Sequence, residues 1–342
     1  MKHLLILLAA MLSSLGAKAQ FRTDVLGAPF QKLTIELPDS YDGEVVTSVV
    51  RHAPLEGVTR AILYVHGYND YFFQTEMAEK FVEQGWQFYA VDLRRYGRSM
   101  REWHSPFYVL DIEEYFEDID AAIEVMHGEG MGEIVLMGHS TGGLTTSLYA
   151  HHRAEEQTIN GLILNSPFFD MNLGGGLFEG VGVPVVSLFG SLFKDWRVQK
   201  GSDEAGGYGR SISDEYDGEW PFDTQFKRVE SLPINAGWLR AIHRAQRQLQ
   251  KGLDVKCPVL VLYSDNSVTG EYDESYMSGD SVLDVEDIAK YAPCVGDNVT
   301  QIEVAGGMHD LLLSPVAVRY PLYDTIFEWM ANQDFSNLNS HD

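Results

Sequence analysis

Cysteine is scarce in this chain, with two among 342 residues, Cys257 and Cys294. They can form one bridge at most, so no disulfide framework holds the fold together. Basic residues are also few: 25 Lys and Arg stand against 50 Asp and Glu, a formal net charge of −25. A surface that acidic repels phosphate backbones and anionic lipid, which argues against nucleic acid and charged membrane surfaces as partners. Internal repeats and low-complexity tracts are absent, so the chain is neither a solenoid nor a linker. No apolar run is long enough to span a bilayer, neither Leu4 to Leu12 nor any later stretch.

The one sustained apolar run is at the start. Lys2 precedes Leu4 to Leu12, and Ala17-Lys18-Ala19 has the small-x-small form of a signal peptidase site. Residues 1–19 therefore read as a signal peptide whose removal leaves Gln20 first. No cysteine follows the apolar core to carry a lipid. The expectation is an exported chain, periplasmic or secreted, with no stable membrane anchor once matured. Loss of Lys2 and Lys18 makes the excess of acid larger still.

Along the rest of the chain two patterns alternate. Lys32 to Leu37 and Val45 to His52 read as an antiparallel strand pair. Ala61 to His66, Phe88 to Val91, Ile134 to Met137, Gly161 to Leu164 and Val259 to Tyr263 are short apolar runs, and Val299 to Val304 reads as a further strand. Strands buried on both faces of a parallel sheet look like this. Helical segments fall between them, at about 74–84, 112–126, 144–151, 285–291 and 316–330. The alternation predicts an α/β protein with a mostly parallel sheet covered on both faces, and sites at the carboxyl ends of its strands. The stretch from Asn165 to Cys257 is too long for a plain loop. It is apolar around Leu173 to Phe193, acidic from Asp203 to Asp223 and helical from about Leu239 to Gln250, which reads as a cap over the strand ends.

Chemistry concentrates at Gly138-His139-Ser140-Thr141-Gly142, a G-x-S-x-G pattern between a strand and a helix. A serine hydroxyl is a poor nucleophile until a sharp turn presents it and a base activates it. The candidate base is His309, in the turn Gly306-Gly307-Met308-His309-Asp310 after the last strand. The orienting acid belongs after the strand Val259 to Tyr263. Asp265 follows that strand at once; Asp280 comes after a polar insertion and immediately before a helix, where capping is the alternative role. Spacing alone leaves both open. An oxyanion needs two donors: the N–H of Thr141 at the start of the elbow helix, and the N–H of Tyr68 in His66-Gly67-Tyr68.

Four motifs occur in order: His66-Gly67-Tyr68, Val91-Asp92-Leu93-Arg94-Arg95-Tyr96-Gly97-Arg98-Ser99, Gly138 to Gly143, and Gly307-Met308-His309. Over about residues 30 to 332, apart from much of the cap, the chain resembles the α/β-hydrolase group of monoglyceride lipases, lysophospholipases and serine aminopeptidase-type hydrolases. The resemblance implies an α/β-hydrolase fold with a core at 20–170 and 257–342 and an inserted cap at 171–256. Members often carry Asp-x-aliphatic-aliphatic-Asp with the first aspartate catalytic. Asp280-Ser281-Val282-Leu283-Asp284 has that form, which favours Asp280 over Asp265, although the insertion before it departs from the pattern. The fold also places Cys257 and Cys294 near the bottom of the sheet, where a disulfide or two well-separated buried thiols are the alternatives.

The function implied is hydrolysis of carboxylic esters, lipid-like acyl esters in particular, through an acyl-enzyme on Ser140, with no metal or organic cofactor. An aminopeptidase or amidase of the same fold is the rival within enzymes, its acidic cap holding a substrate amine. A hydrolase fold kept as a binding module is the rival outside them.

Overall fold

The computed structural model describes residues 20–171 and 193–335. The expected signal peptide, Gly174-Gly175-Gly176 and nearly all of the apolar stretch up to Phe193 lie outside the described residues. Eleven strands are assigned in chain order: β1 (Arg22–Thr23), β2 (Phe30–Ser40), β3 (Gly43–His52), β4 (Arg60–Val65), β5 (Gln87–Asp92), β6 (Glu133–His139), β7 (Gly161–Asn165), β8 (Arg197–Gln199), β9 (Ile234–Asn235), β10 (Val259–Ser264) and β11 (Val299–Val304). The helices are α1 (Thr75–Glu83), α2 (Phe116–Gly128), α3 (Thr141–His152), α4 (Gly207–Ile212), α5 (Ala236–Leu249), α6 (Val285–Tyr291) and α7 (Val316–Ala331).

Nine strands form one sheet in the order β1-β2-β3-β5-β4-β6-β7-β10-β11, and β8 and β9 pair separately. The first strands are antiparallel, with Leu33 opposite Val49 in β2–β3 and Val49 opposite Val91 in β3–β5. From β5 to β11 every pairing is parallel. Parallel strands need crossovers, and the crossover helices cover both faces. Alternate residues of each strand accordingly enter different cores. Leu63, Val65, Leu136, Leu164 and Val261 pack with Ile119 of α2, Leu148 of α3 and Ile242 of α5. Ile62, Tyr64, Val135, Ile163 and Leu262 pack with Phe81 of α1 and Leu322 and Ile326 of α7. The apolar runs in the sequence are continuous because neither face of the central strands β4, β5, β6, β7 and β10 meets water.

Three helix starts differ from the sequence pattern, each for a local reason. The helix expected from Ile112 opens as a 3₁₀ turn, Ile112–Tyr115, because Asp111 and Glu114 form a capping box there. The elbow helix begins at Thr141 rather than Leu144, since the turn at Ser140 leads straight into it. α5 begins at Ala236, where the Asn235 side chain accepts from the Trp238 N–H at 2.9 Å.

Cys257 and Cys294 both sit at the amino-terminal side of the last strands. Leu253 and Val255 donate to the carbonyls of Cys294 and Val295, at 2.6 and 3.2 Å, so the two segments run side by side. The thiols are nonetheless free, Cys257 buried and Cys294 half-buried. There is no disulfide between them, and the alternative of two well-separated buried thiols holds only for Cys257. Cys294 Sγ lies 3.9 Å from the Gln250 carbonyl.

Candidate active site

Ser140 follows β6 directly and has φ 55° and ψ −118°, left-handed backbone that non-glycine residues seldom adopt. The strain is held by packing with no room for side chains. A Cβ on Gly138 would lie 2.4 Å from Thr146 Oγ1 and 2.5 Å from the Gly142 carbonyl oxygen. A Cβ on Gly142 would meet the carbonyl oxygens of Val65 and His66, both at 2.4 Å. The glycines therefore let α3 press against the end of β4. The Ser140 N–H donates to Asn165 O of β7 at 3.0 Å, tying the turn to the neighbouring strand.

His309 lies in the turn after β11 and its ring is buried. Its Nε2 is 3.0 Å from Ser140 Oγ, and its Nδ1 is 2.9 Å from Asp280 Oδ2. An ionised carboxylate only accepts, so the proton belongs on Nδ1, and Nε2 is free to accept from the serine hydroxyl. Asp280 is fully buried. Its Oδ1 accepts from the N–H groups of Val282 and Leu283, both at 2.8 Å, which leaves Oδ2 to the imidazole.

The insertion before Asp280 is closed by a short ladder. Val268 N–H donates to Asp280 O at 2.7 Å, and Asp280 N–H to Asn266 O at 2.8 Å. Residues 269–279 are thereby an excursion that returns the chain to the end of β10. Asp265 is elsewhere: its Oδ1 accepts from Gly306 N–H at 2.9 Å and caps the turn after β11. Asp284 caps α6 through the Glu286 N–H at 3.0 Å. Of these three acids the structure brings Asp280 to His309.

The loop after β4 passes over the elbow. A Cβ on Gly67 would lie 3.0 Å from Ser140 Cβ, so this backbone runs close to the hydroxyl. Neither the Tyr68 nor the Thr141 N–H has an acceptor among the described residues. His66 steadies the loop. Its Nδ1 donates to Gly67 O at 2.8 Å and its Nε2 accepts from Leu93 N–H at 3.1 Å, which is a neutral tautomer. Burial pulls the pKa of His66 down, as that tautomer requires. The second motif is scaffold. Arg98 pairs with Asp24 at 2.7 Å and with Asp92 at 2.8 Å, all inside the protein, and Asp92 also holds Phe72 N–H at 3.0 Å. Arg94 pairs with Asp118 at 2.7 Å and donates to it from its backbone as well.

Two cavities meet at Ser140. One, about 240 Å³, is walled by Phe168, Met171, Val198, Ile234, Trp238 and Leu239 together with Tyr68. The other, about 430 Å³, is the more polar of the two and reaches His139, His309, Tyr208, Lys227 and Glu230. Much of both walls comes from residues 193–256, where the cap was expected. None of the acids between Asp203 and Asp223 lines either cavity. Asp217 instead pairs with Arg210 at 2.9 Å, and Glu219 with Arg319 at 3.2 Å.

The sequence reading overlooked Trp238, Tyr208, Lys227, Asp70 and Asp310. Trp238 had a signal, since it heads an amphipathic helix with Leu239 and Ile242 buried. Lys227 had none, because nothing local tells a lysine in an acidic segment that it will be buried.

The sequence matches the family model described as Serine aminopeptidase, S33, over residues 57–315. The chain belongs to that family. Its fold is similar to that of the monoacylglycerol lipase of Paleococcus ferrophilus, with TM-score 0.59 and 18% identity over 84% of this chain and 98% of that one. It is similar also to a soluble variant of the monoglyceride lipase of Saccharomyces cerevisiae in complex with a substrate analogue, at TM-score 0.60, 14% identity and coverages of 96% and 98%. A thermophilic esterase of Thermogutta terrifontis shares the fold at TM-score 0.53 and 16% identity, over 87% and 98%. These likenesses establish the α/β-hydrolase fold. No curated protein matches the sequence.

Proposed function

We propose that this member of the serine aminopeptidase S33 family is an exported serine hydrolase acting on esters of apolar acyl groups. The observation that carries the reading is the chain of contacts from Ser140 Oγ through the His309 ring to Asp280 Oδ2, at 3.0 and 2.9 Å, opening onto an apolar cavity. His309 takes the proton as Ser140 attacks the carbonyl and returns it to the leaving alcohol. Asp280 holds the tautomer and balances the imidazolium. The N–H groups of Tyr68 and Thr141 receive the oxyanion, each contributing on the order of 3 kcal/mol to the transition state. Water then repeats the sequence on the acyl-enzyme. Every charge that develops in these steps has a protein group facing it, and no metal or organic cofactor enters them.

The apolar cavity, with Trp238 and Leu239 in its wall, suits an acyl chain; the polar one suits the alcohol. Two of the structural neighbours are named for monoacylglycerol and one as an esterase, which agrees with that division. Lysophospholipids belong to the same class of substrate and need the same apolar cavity. Export rests on the sequence of residues 1–19.

Ser140→Ala is expected to lower kcat on p-nitrophenyl esters on the order of 10⁶-fold. Retained activity in that variant would overturn the assignment. The family description favours a second reading, an aminopeptidase, and aminoacyl p-nitroanilides cleaved faster than esters would establish it. The placement of the Asp203 to Asp223 acids away from both cavities speaks against it. Failure of a fluorophosphonate probe to label Ser140 in the folded protein would point to a binding module.

A further inference from the structure

Four charged or chargeable side chains lie together behind the reacting serine, and the steps above use none of them. Asp70 ends the loop that carries Tyr68. His139 is the elbow residue before Ser140. Asp310 follows His309, and Lys227 arrives from the capping segment. All four are almost wholly buried: Asp70 and Asp310 are 1% exposed, His139 and Lys227 3%. Lys227 Nζ lies 2.8 Å from Asp70 Oδ1. His139 Nδ1 sits between the other carboxylate oxygens, 3.7 Å from Asp70 Oδ2 and 3.9 Å from Asp310 Oδ2. Neither ring nitrogen of His139, nor Asp70 Oδ2, has a hydrogen-bond partner among the described residues.

We propose that His139 is held as an imidazolium and is a positioning residue, the fourth member of a charge-balanced cluster joining the oxyanion loop, the elbow, the histidine turn and the cap. The inference rests on the reading of Ser140 and His309 as nucleophile and base. Two carboxylates and one ammonium leave a net negative charge among side chains that are almost wholly buried, and a proton on His139 cancels it. Unbalanced charge in the interior is costly, so the cluster stabilises the charged ring. Burial alone pulls the His139 pKa down, but the carboxylates of Asp310 and Asp70 outweigh it and raise the pKa, with Lys227 opposing them.

The remaining groups facing the cluster do not supply the missing charge. Burial pushes the Tyr208 and Tyr64 hydroxyls well above their ordinary value, so both stay neutral. Burial also lowers His66, which is neutral too. Gln74 and Asn165 donate to Asp310 as neutral amides, at 3.4 and 2.7 Å.

The consequence falls on His309, whose ring centroid is 5.0 Å from that of His139. With the cluster neutral, Asp280 is the carboxylate whose charge the His309 ring faces. With His139 uncharged, an extra negative charge stands beside the ring and stabilises its protonated form. Protonated His309 cannot act as a base, so the acid limb of the reaction would move to higher pH.

The test follows the rate of Ser140 labelling by a fluorophosphonate against pH, in the full-length wild type and in His139→Gln. The expected result is an acid limb about one pH unit higher in the variant, and so roughly tenfold slower labelling below the limb. Adding Asp310→Asn to His139→Gln restores the charge balance, and the limb should return toward the wild-type position. A ring that merely fills space would change the plateau rate without moving the limb, and an unmoved limb in a variant that still labels overturns the proposal. If His139→Gln does not fold, the carbon and nitrogen chemical shifts of the His139 ring in wild type at pH 7 decide: imidazolium shifts support the proposal and neutral shifts overturn it. Failure of wild type to label at all would instead sink the reading of Ser140 as nucleophile.

Discussion

The assignment of the acid is decided by single hydrogen bonds. Asp280 and Asp265 both follow β10 and are 15 residues apart in a sequence where either could serve. Asp280 spends one oxygen on two backbone N–H groups and offers the other to His309, whereas Asp265 spends its carboxylate on Gly306. Asp280→Asn is therefore expected to lower kcat about 10⁴-fold, because an amide at Oδ2 favours the wrong imidazole tautomer. Asp265→Asn should leave ester hydrolysis nearly unchanged and register mainly as a small loss of thermal stability. Parallel kinetics on one p-nitrophenyl ester check both, and equal losses would mean the histidine takes its partner from elsewhere. Charged residues in the second motif act at the same scale but as scaffold. Arg98 bridges Asp24 and Asp92 inside the protein, and its hydrogen bond and charge hold the Asp24 carboxyl below its ordinary value although burial pushes it up. That stabilising contribution is full above the unfolded pKa of 3.8 and is lost as pH falls through the lowered folded value.

At the scale of elements, the site is a meeting of strand ends. β4 leads into the loop proposed to hold the oxyanion, β6 into Ser140, β10 into Asp280 and β11 into His309, and they meet because parallel strands all end on one edge. The helix α5 adds the wall that water must not cross. Trp238 is buried, its ring centroid is 4.7 Å from that of Tyr68, and it lines the apolar cavity. Trp238→Ala removes that wall and should cost about 3–5 kcal/mol in urea unfolding. It should also shift preference toward longer acyl chains, read as the ratio of kcat/KM for dodecanoyl and butanoyl esters. A ratio unchanged by the substitution would place the acyl chain in the other cavity. The helical period of Leu239, Ile242 and Leu249 made α5 readable in advance, but not that its first turn faces the serine.

For the whole molecule, the export proposed above rests on the first nineteen residues. The mature chain recovered from the exported fraction should begin at Gln20, and N-terminal sequencing checks this; an intact Met1 would refute cleavage. The alternation of apolar runs was enough to foresee a parallel sheet with both faces covered, since burial on two sides makes the central strands mostly apolar. The serine and its glycines were readable because a turn this tight admits few residue types, and steric exclusion writes itself into neighbouring positions. The histidine was readable by its place after the last strand. Contacts between distant segments were not. Asp280 reaches His309 through an excursion closed by two hydrogen bonds, and Lys227 reaches Asp70 across 157 positions of chain. The free state of Cys257 and Cys294 belongs with these. Local sterics and the period of burial act between near neighbours, so sequence alone determined the elements, their order and the serine proposed as nucleophile. The pairing of charges, the choice of acid and the shape of the two cavities depend on which remote groups share a dry space, and only the tertiary structure decided them.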